Sequence, residues 1–442
     1  MDMPEELELR QRTSTQDDQE PVHDETTAGR SLLPTDRGVS AWLVLLGAFM
    51  LEGLVWGFVY SYGIFQEFYS RPQEFQSSQA HVPLVGTISA GLMYLCSPVL
   101  LPLLRQWPSH RKQCIVLGGL LTCTALIGAS FARNVADLIV TQGVLLGLGG
   151  SMVYYPTFLF LDEWFVRRKA LAYGVCWGAS GFSGLVFPYI ISWLLETYGF
   201  RTTLRVWSVV DLVFIAVALL VLKPRLPAAL NVRRYRPRLS FTLKPLFLAF
   251  CFANIVQGFG TYLPGIYLPS YARSMGFSET VATTSVALLN VGTLIGSVTG
   301  GILTDRWSPK GVIIVSALAS MNGAALLWGF SAVPALILLF GLAHGFFTGC
   351  MTASWPGVIG DIVERDSTRT AEPSMIFALF VAGRGIGNVA SGPVSQSLLH
   401  LPTLSKAISY GYGSMYGSVI LFCAGTMAAG GLGAVVDAMG MI

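Results

Sequence analysis

KPRLPAALNVRRYRPRLSFTLKP, residues 223–245, is the stretch on which the fold turns. It carries seven cations, no carboxylate and four prolines, so it can neither cross a bilayer nor continue a helix. Working outward from it, six apolar runs precede it, at about 40–64, 82–103, 114–133, 136–160, 170–195 and 203–222. Six more follow, at about 246–270, 280–303, 312–330, 332–356, 373–398 and 411–437. Each is close to the roughly 20 residues that a helix needs to cross a hydrocarbon core of about 30 Å. The pattern predicts an all-α membrane protein of twelve transmembrane helices: a six-helix half over 39–222, a cytoplasmic basic linker over 223–245 and a second six-helix half over 246–442.

Composition agrees. Of 442 residues 53% are hydrophobic and 12% charged, against about 25% charged in a soluble domain, which excludes an ordinary soluble enzyme. The net charge of +3 is dispersed over short connections and forms no extended basic face, so nucleic acid is not an expected partner. Residues 1–38 hold ten acids and four bases with little to bury, and read as a disordered acidic cytoplasmic tail. The opening MDMPEELELR lacks the basic and apolar regions of a cleaved signal, which makes the first run the expected targeting element. The seven cysteines fall in or beside apolar runs without metal-ligand spacing, so no metal and no cofactor is expected, and packing accounts for them.

Ionisable residues inside apolar runs are the sharpest functional signals, because each costs at least about 2.5–3.5 kcal/mol to insert. Three stand out: Glu52 in the first run, Asp211 in the sixth and Arg384 in the eleventh. Arg384 lies in AGRGIGNVASGP, whose glycines leave room around a guanidinium able to take a carboxylate through two parallel hydrogen bonds. Its role is substrate charge or a structural pair with an acid. Glu52 is a candidate proton carrier or a buried pairing partner, and Asp211 reads as structural. Gly174, Gly178 and Gly181 share one helical face, where a neighbouring helix can approach closely or rock.

Residues 36–69, DRGVSAWLVLLGAFMLEGLVWGFVYSYGIFQEFY, residues 164–188, WFVRRKALAYGVCWGASGFSGLVFP, and residues 262–272, YLPGIYLPSYA, together resemble the monocarboxylate-transporter-like family of the major facilitator superfamily, in particular its fungal branch. The resemblance covers most of residues 36–437 and implies secondary transport of a small, often anionic organic molecule, in some members coupled to protons. GGILTDRWSPKG, residues 300–311, resembles the superfamily's loop motif, and implies that Asp305 and Arg306 gate the inward face through an ion pair with a neighbouring helix. The corresponding loop LRQWPSHRK between the second and third runs lacks the acid. Animal members of the family carry a lysine late in the first helix and an Asp/Arg pair in the eighth. Here Tyr60 stands at the first of these places, and Asn290 is the strongly polar side chain of the eighth run. Tyr60, Tyr154, Tyr155, Trp177, Gln257 and Asn290 are therefore candidates for lining a larger, aromatic-rich cavity with Arg384.

The expected partners are a small organic substrate, possibly a carboxylate, a proton and the lipid bilayer. Export of a fungal secondary metabolite is the alternative reading, and a non-transporting nutrient sensor, which would be expected to carry a long cytoplasmic extension, a further one. An intramembrane enzyme would need clustered catalytic groups, yet His23, His81, His110, His344 and His400 are scattered along the chain. The connections after the even-numbered runs, with the linker, hold seventeen Lys and Arg against six on the other side, which places both termini in the cytoplasm, the plasma membrane being the expected location. Reporter fusions to Met1 and Ile442 are accordingly expected to read cytoplasmic at both ends; two external signals would invert the orientation.

Overall fold

The computed structural model describes residues 33–71, 81–226, 239–366, 370–404 and 408–441. The tail as far as residue 32, linker residues 227–238, Arg369 and Lys406 lie outside the described residues. Among the described residues all regular structure is helical. With no water in the hydrocarbon to satisfy peptide groups, a spanning segment has to close its hydrogen bonds within itself, and a helix does so.

Among the described residues ten helices are long and apolar enough to cross a membrane, and a bent pair adds an eleventh. The twelfth emerges from the 53-residue helix Lys169–Val221, which divides at Gly199, where φ is 74° and ψ 169°. Only glycine adopts that backbone without strain, so Gly199 is where the chain turns back. The spans are α1 (Val39–Tyr69), α2 (Val82–Leu95 with Ser97–Gln106), α3 (Pro108–Ala129), α4 (Val135–Trp164), and α5 and α6 (the two parts of Lys169–Val221). The second half comprises α7 (Pro245–Ser274), α8 (Glu279–Arg306), α9 (Pro309–Trp328), α10 (Pro334–Glu364), α11 (Pro373–Leu399) and α12 (Gly417–Ala438).

Several spans are broken, and the breaks have identifiable causes. Proline lacks the N–H for its helical bond and crowds the carbonyl four residues back. The α2 helix bends by 40° at Cys96, ahead of Pro98. The α7 helix breaks at Tyr262, ahead of Pro264, and α10 at Ser354, ahead of Pro356. In α1 the break is at Ser61, whose hydroxyl bonds the Gly57 carbonyl at 2.7 Å and so competes with the helical ladder. Four aromatic residues, Tyr60, Tyr94, Tyr262 and Trp355, sit at or beside these four breaks.

The halves meet along α5 and α8. A Cβ on Gly174 would collide with the Ser297 carbonyl, and one on Gly181 would lie 2.6 Å from the Asn290 carbonyl oxygen. From the other side, Gly301 faces Ala170 and Leu171 just as closely. The glycine face of α5 is thus a backbone-to-backbone seam with the opposite half.

Each half is also tied at the face where α1 begins and α12 ends, here called the terminal face. Arg111 of α3 pairs with Glu163 of α4, both buried. In the second half Asp437 of α12 takes Lys310 at 2.8 Å and Arg365 at 2.5 Å.

Candidate functional site

Arg384 lies near the middle of α11, with 3% of its surface exposed. Its Nε donates to Asn254 Oδ1 at 3.2 Å and its Nη2 to Gln257 Oε1 at 2.7 Å, both on α7. Its guanidinium carbon lies 5.1 Å from the centre of the Trp355 ring. None of the ion pairs among the described residues includes Arg384. Two hydrogen bonds from a charged donor contribute about 1.5–3 kcal/mol each, and a desolvated cation–π contact about 2 kcal/mol. Together they offset an insertion cost of about 2.5–3.5 kcal/mol. The arginine is held without a carboxylate, and its positive charge is left unneutralised. Nη1 has no acceptor among the described residues, so its two N–H groups remain free to donate. Beside it, Phe250, Asn254, Gln257, Met351 and Trp355 line a cavity of about 20 Å³, room for one water.

Three tyrosines come together across the halves next to this arginine. Tyr94 of α2 packs its Cβ on Gly385. The Tyr94 hydroxyl is 2.5 Å from that of Tyr262 on α7 and 3.1 Å from that of Tyr60 on α1. Trp56 stacks on Tyr60 at 5.4 Å and meets Tyr94 at 4.6 Å and Tyr154 at 5.5 Å. Glu52, one turn before Trp56 and 3% exposed, faces the Tyr154 hydroxyl, which accepts from Trp177 Nε1 at 3.1 Å. One Glu52 oxygen has no hydrogen-bond partner among the described residues.

Toward the terminal face the two halves are shut. Phe158 of α4 and Tyr173 and Trp177 of α5 meet Phe377 of α11 at 4.9, 5.6 and 6.1 Å, and Trp177 also meets Trp355 at 5.6 Å. Beyond this plug, Asp305 at the end of α8 accepts from the backbone N–H groups of Ala170 and Leu171, at 2.9 and 2.8 Å. It thereby caps the start of α5 in the other half, where the free N–H groups and the helix dipole both favour an anion. Asp36 holds the preceding turn, accepting from the backbone of Val166, Arg167 and Arg168 at 2.8–3.1 Å. Burial alone would raise the Asp36 carboxyl, but these N–H groups outweigh it and keep it below the usual carboxylate range. On the symmetry-related side, Arg105 at the end of α2 pairs with Glu372 and donates to Ser374 Oγ at 3.2 Å, at the start of α11. Ser97 of α2 adds a bond to the Ala378 carbonyl at 2.9 Å.

Of the residues singled out in the sequence, Gln257 lies on Arg384, while Glu52, Tyr154 and Trp177 form a second, connected group in the first half. Tyr60 joins the tyrosine cluster. Asn290 is placed elsewhere, donating to the Gly184 carbonyl across the α5–α8 seam at 3.1 Å. Asp305 does reach across the halves, but to backbone N–H groups rather than to a cation, and Arg306 is exposed. Asp211 is buried against Thr122 beside a cavity of about 10 Å³, away from Arg384. Sequence reading did not find Asn254, Tyr94, Tyr262 or Trp355. Asn254 carried a signal in its spacing of three from Gln257, one helical face; Tyr262 and Trp355 carried one in the prolines that follow them.

A family model described as Major Facilitator Superfamily matches residues 39–284 and 250–437. The chain is 26% identical to the MFS-type transporter pynF of Aspergillus niger, covering 89% of each chain. It is 24% identical to the agnestins efflux protein AgnL12 of Paecilomyces divaricatus, covering 90% of each. Similarity to monocarboxylate transporter 13 of Bos taurus is 26% over 75% of this chain and 77% of that one. Among solved structures, the proton:xylose symporter XylE superposes with a TM-score of 0.65 at 16% identity, over 88% of this chain and 94% of that one.

The Arg105–Glu372 pair is partly exposed, and such a pair contributes at most about 1 kcal/mol. In a background freed of the native cysteines, Arg105→Glu is expected to raise labelling of Ser97→Cys by a membrane-impermeant thiol reagent about fivefold at most. Combining it with Glu372→Arg should bring labelling back toward the parent. A double variant that labels as fast as the single one would mean that the pair does not latch the terminal face.

Proposed function

Because the chain belongs to the major facilitator superfamily, we propose that it carries a small organic anion across the membrane by alternating access, with Arg384 binding the anion midway between the two halves. The observation that carries this reading is a guanidinium deep in the bundle whose hydrogen-bond partners are two neutral amides. A permanent cation in that setting attracts an anion, and the N–H groups left free on Nη1 and Nη2 suit the two oxygens of a carboxylate or an acidic enol. The plug around Phe377 and the capping of α5 by Asp305 close the terminal face in this state. Rocking of one half on the glycine seam, with release of those contacts, would expose the site to the other compartment. Loop charge supports a cytoplasmic terminal face, and the plasma membrane is the location proposed for it.

Export is the second reading for direction. It is favoured by a relative over nearly the full length that is named an efflux protein. Proton coupling would fall to Glu52, a buried carboxyl with one unpartnered oxygen beside the Tyr154–Trp177 pair.

Arg384→Ala is expected to weaken binding of an aromatic anion such as naphthalenesulfonate to the purified protein by about a hundredfold or more, as loss of one partner of a buried charge pair does. Arg384→Lys, which keeps the charge but not the planar fork, should cost less, about tenfold. Tryptophan fluorescence during titration reads both, and parent-like affinity in each would remove Arg384 from the site. For coupling, Glu52→Gln should abolish accumulation driven by a pH gradient while sparing substrate exchange in vesicles; an unchanged response to the gradient would return Glu52 to a packing role.

A further inference from the structure

We propose that the neutrality of the amide clamp, Asn254 and Gln257, makes the site select anions, and that its aromatic surroundings restrict those anions to planar, conjugated ones. The inference rests on the reading of Arg384 as the anchor. The two amides are three residues apart on α7 and both aim oxygens at the guanidinium. Their orientation is fixed from behind, since an amide that donates on one side presents its oxygen on the other. Asn254 Nδ2 donates to the Phe380 carbonyl at 2.6 Å, and Gln257 Nε2 to Met351 Sδ at 2.8 Å.

A carboxylate at either position would hold the arginine at least as firmly, so positioning alone does not call for amides. Amides position the guanidinium and leave its charge intact, whereas an acid would cancel it. Around the charge, Trp355 lies under the guanidinium, and the Trp56, Tyr60 and Tyr94 rings of the first half meet Tyr262 of the second at the half boundary. Tyr60 is 40% exposed, so its ring is open to a flat partner. Offset rings add attraction beyond their buried area, which favours a conjugated anion over a short aliphatic acid.

Gln257→Glu is the milder test, because the atom facing its lost donor is a thioether sulfur. Asn254→Asp would set a carboxylate oxygen against the Phe380 carbonyl. On the purified full chain, Gln257→Glu should weaken naphthalenesulfonate about a hundredfold or more, like charges being placed together, and should bind uncharged naphthamide as well as or better than the parent. Gln257→Met, which removes the acceptor without adding charge, should lose no more than about tenfold for the sulfonate and gain nothing for the amide. Equal losses in the two variants, or parent-like sulfonate affinity in Gln257→Glu, would overturn the inference. Should the acidic variant not fold, the parent decides: equal affinity for sulfonate and amide, or no saturable sulfonate binding, overturns it as well. Arg384→Ala measured in parallel separates the layers. Parent-like sulfonate affinity there sinks the anchor itself, whereas loss there with retention in Gln257→Glu sinks only the role of the amides.

Discussion

Every backbone N–H and carbonyl within the hydrocarbon needs a protein partner, and much of this molecule follows from where that requirement is hard to meet. Helix interiors meet it locally. Helix starts do not, and the turn between α4 and α5 has five backbone N–H groups taken by two aspartates, Asp36 from its own half and Asp305 from the other. One short turn thus joins the chain entrance, the α4–α5 corner and the far half. The part that joins the two halves consists of two bonds, both to one helix end.

Helix breaks have the complementary effect. Tyr60 and Tyr94 lie at the end of the segment before a break, Tyr262 at a break and Trp355 just after one, so all four stand where a helical ladder is interrupted. Arg384, Asn254 and Gln257 themselves stand in uninterrupted helix.

Charge is handled differently at the rim and at the centre. At the terminal face cations meet carboxylates, as in Arg111–Glu163, Lys310–Asp437 and Arg105–Glu372. At Arg384 the partners are amides. The two inter-half latches also invert one another. At the end of α8 the acid is on the first element and backbone N–H groups on the second; at the end of α2 the cation is on the first element and the acid stands at the start of α11. The loop after α2 lacks the acid, and there a cation at the same place meets an acid supplied by the other half.

The twelve spans, their division into six and six, and the isolation of Glu52, Asp211 and Arg384 were legible in the sequence, because hydropathy over about 20 residues and the cost of an intramembrane charge are local quantities. The signature stretches 36–69 and 164–188 were legible as well, although nothing in their residues showed that Asp36 of the first grips the turn that opens the second. Partner choice was not legible. Whether Arg384 would meet Glu52, a substrate or an amide depended on which face α7 turns toward α11, and nothing in the sequence set Gln257, which meets Arg384, apart from Asn290, which meets the Gly184 carbonyl. Helix rotation and the close approach of α5 to α8 arise from packing summed over many residues far apart in the chain. Only the tertiary structure decided that the central cation is left with neutral partners, and that decision defines the chemistry of the site.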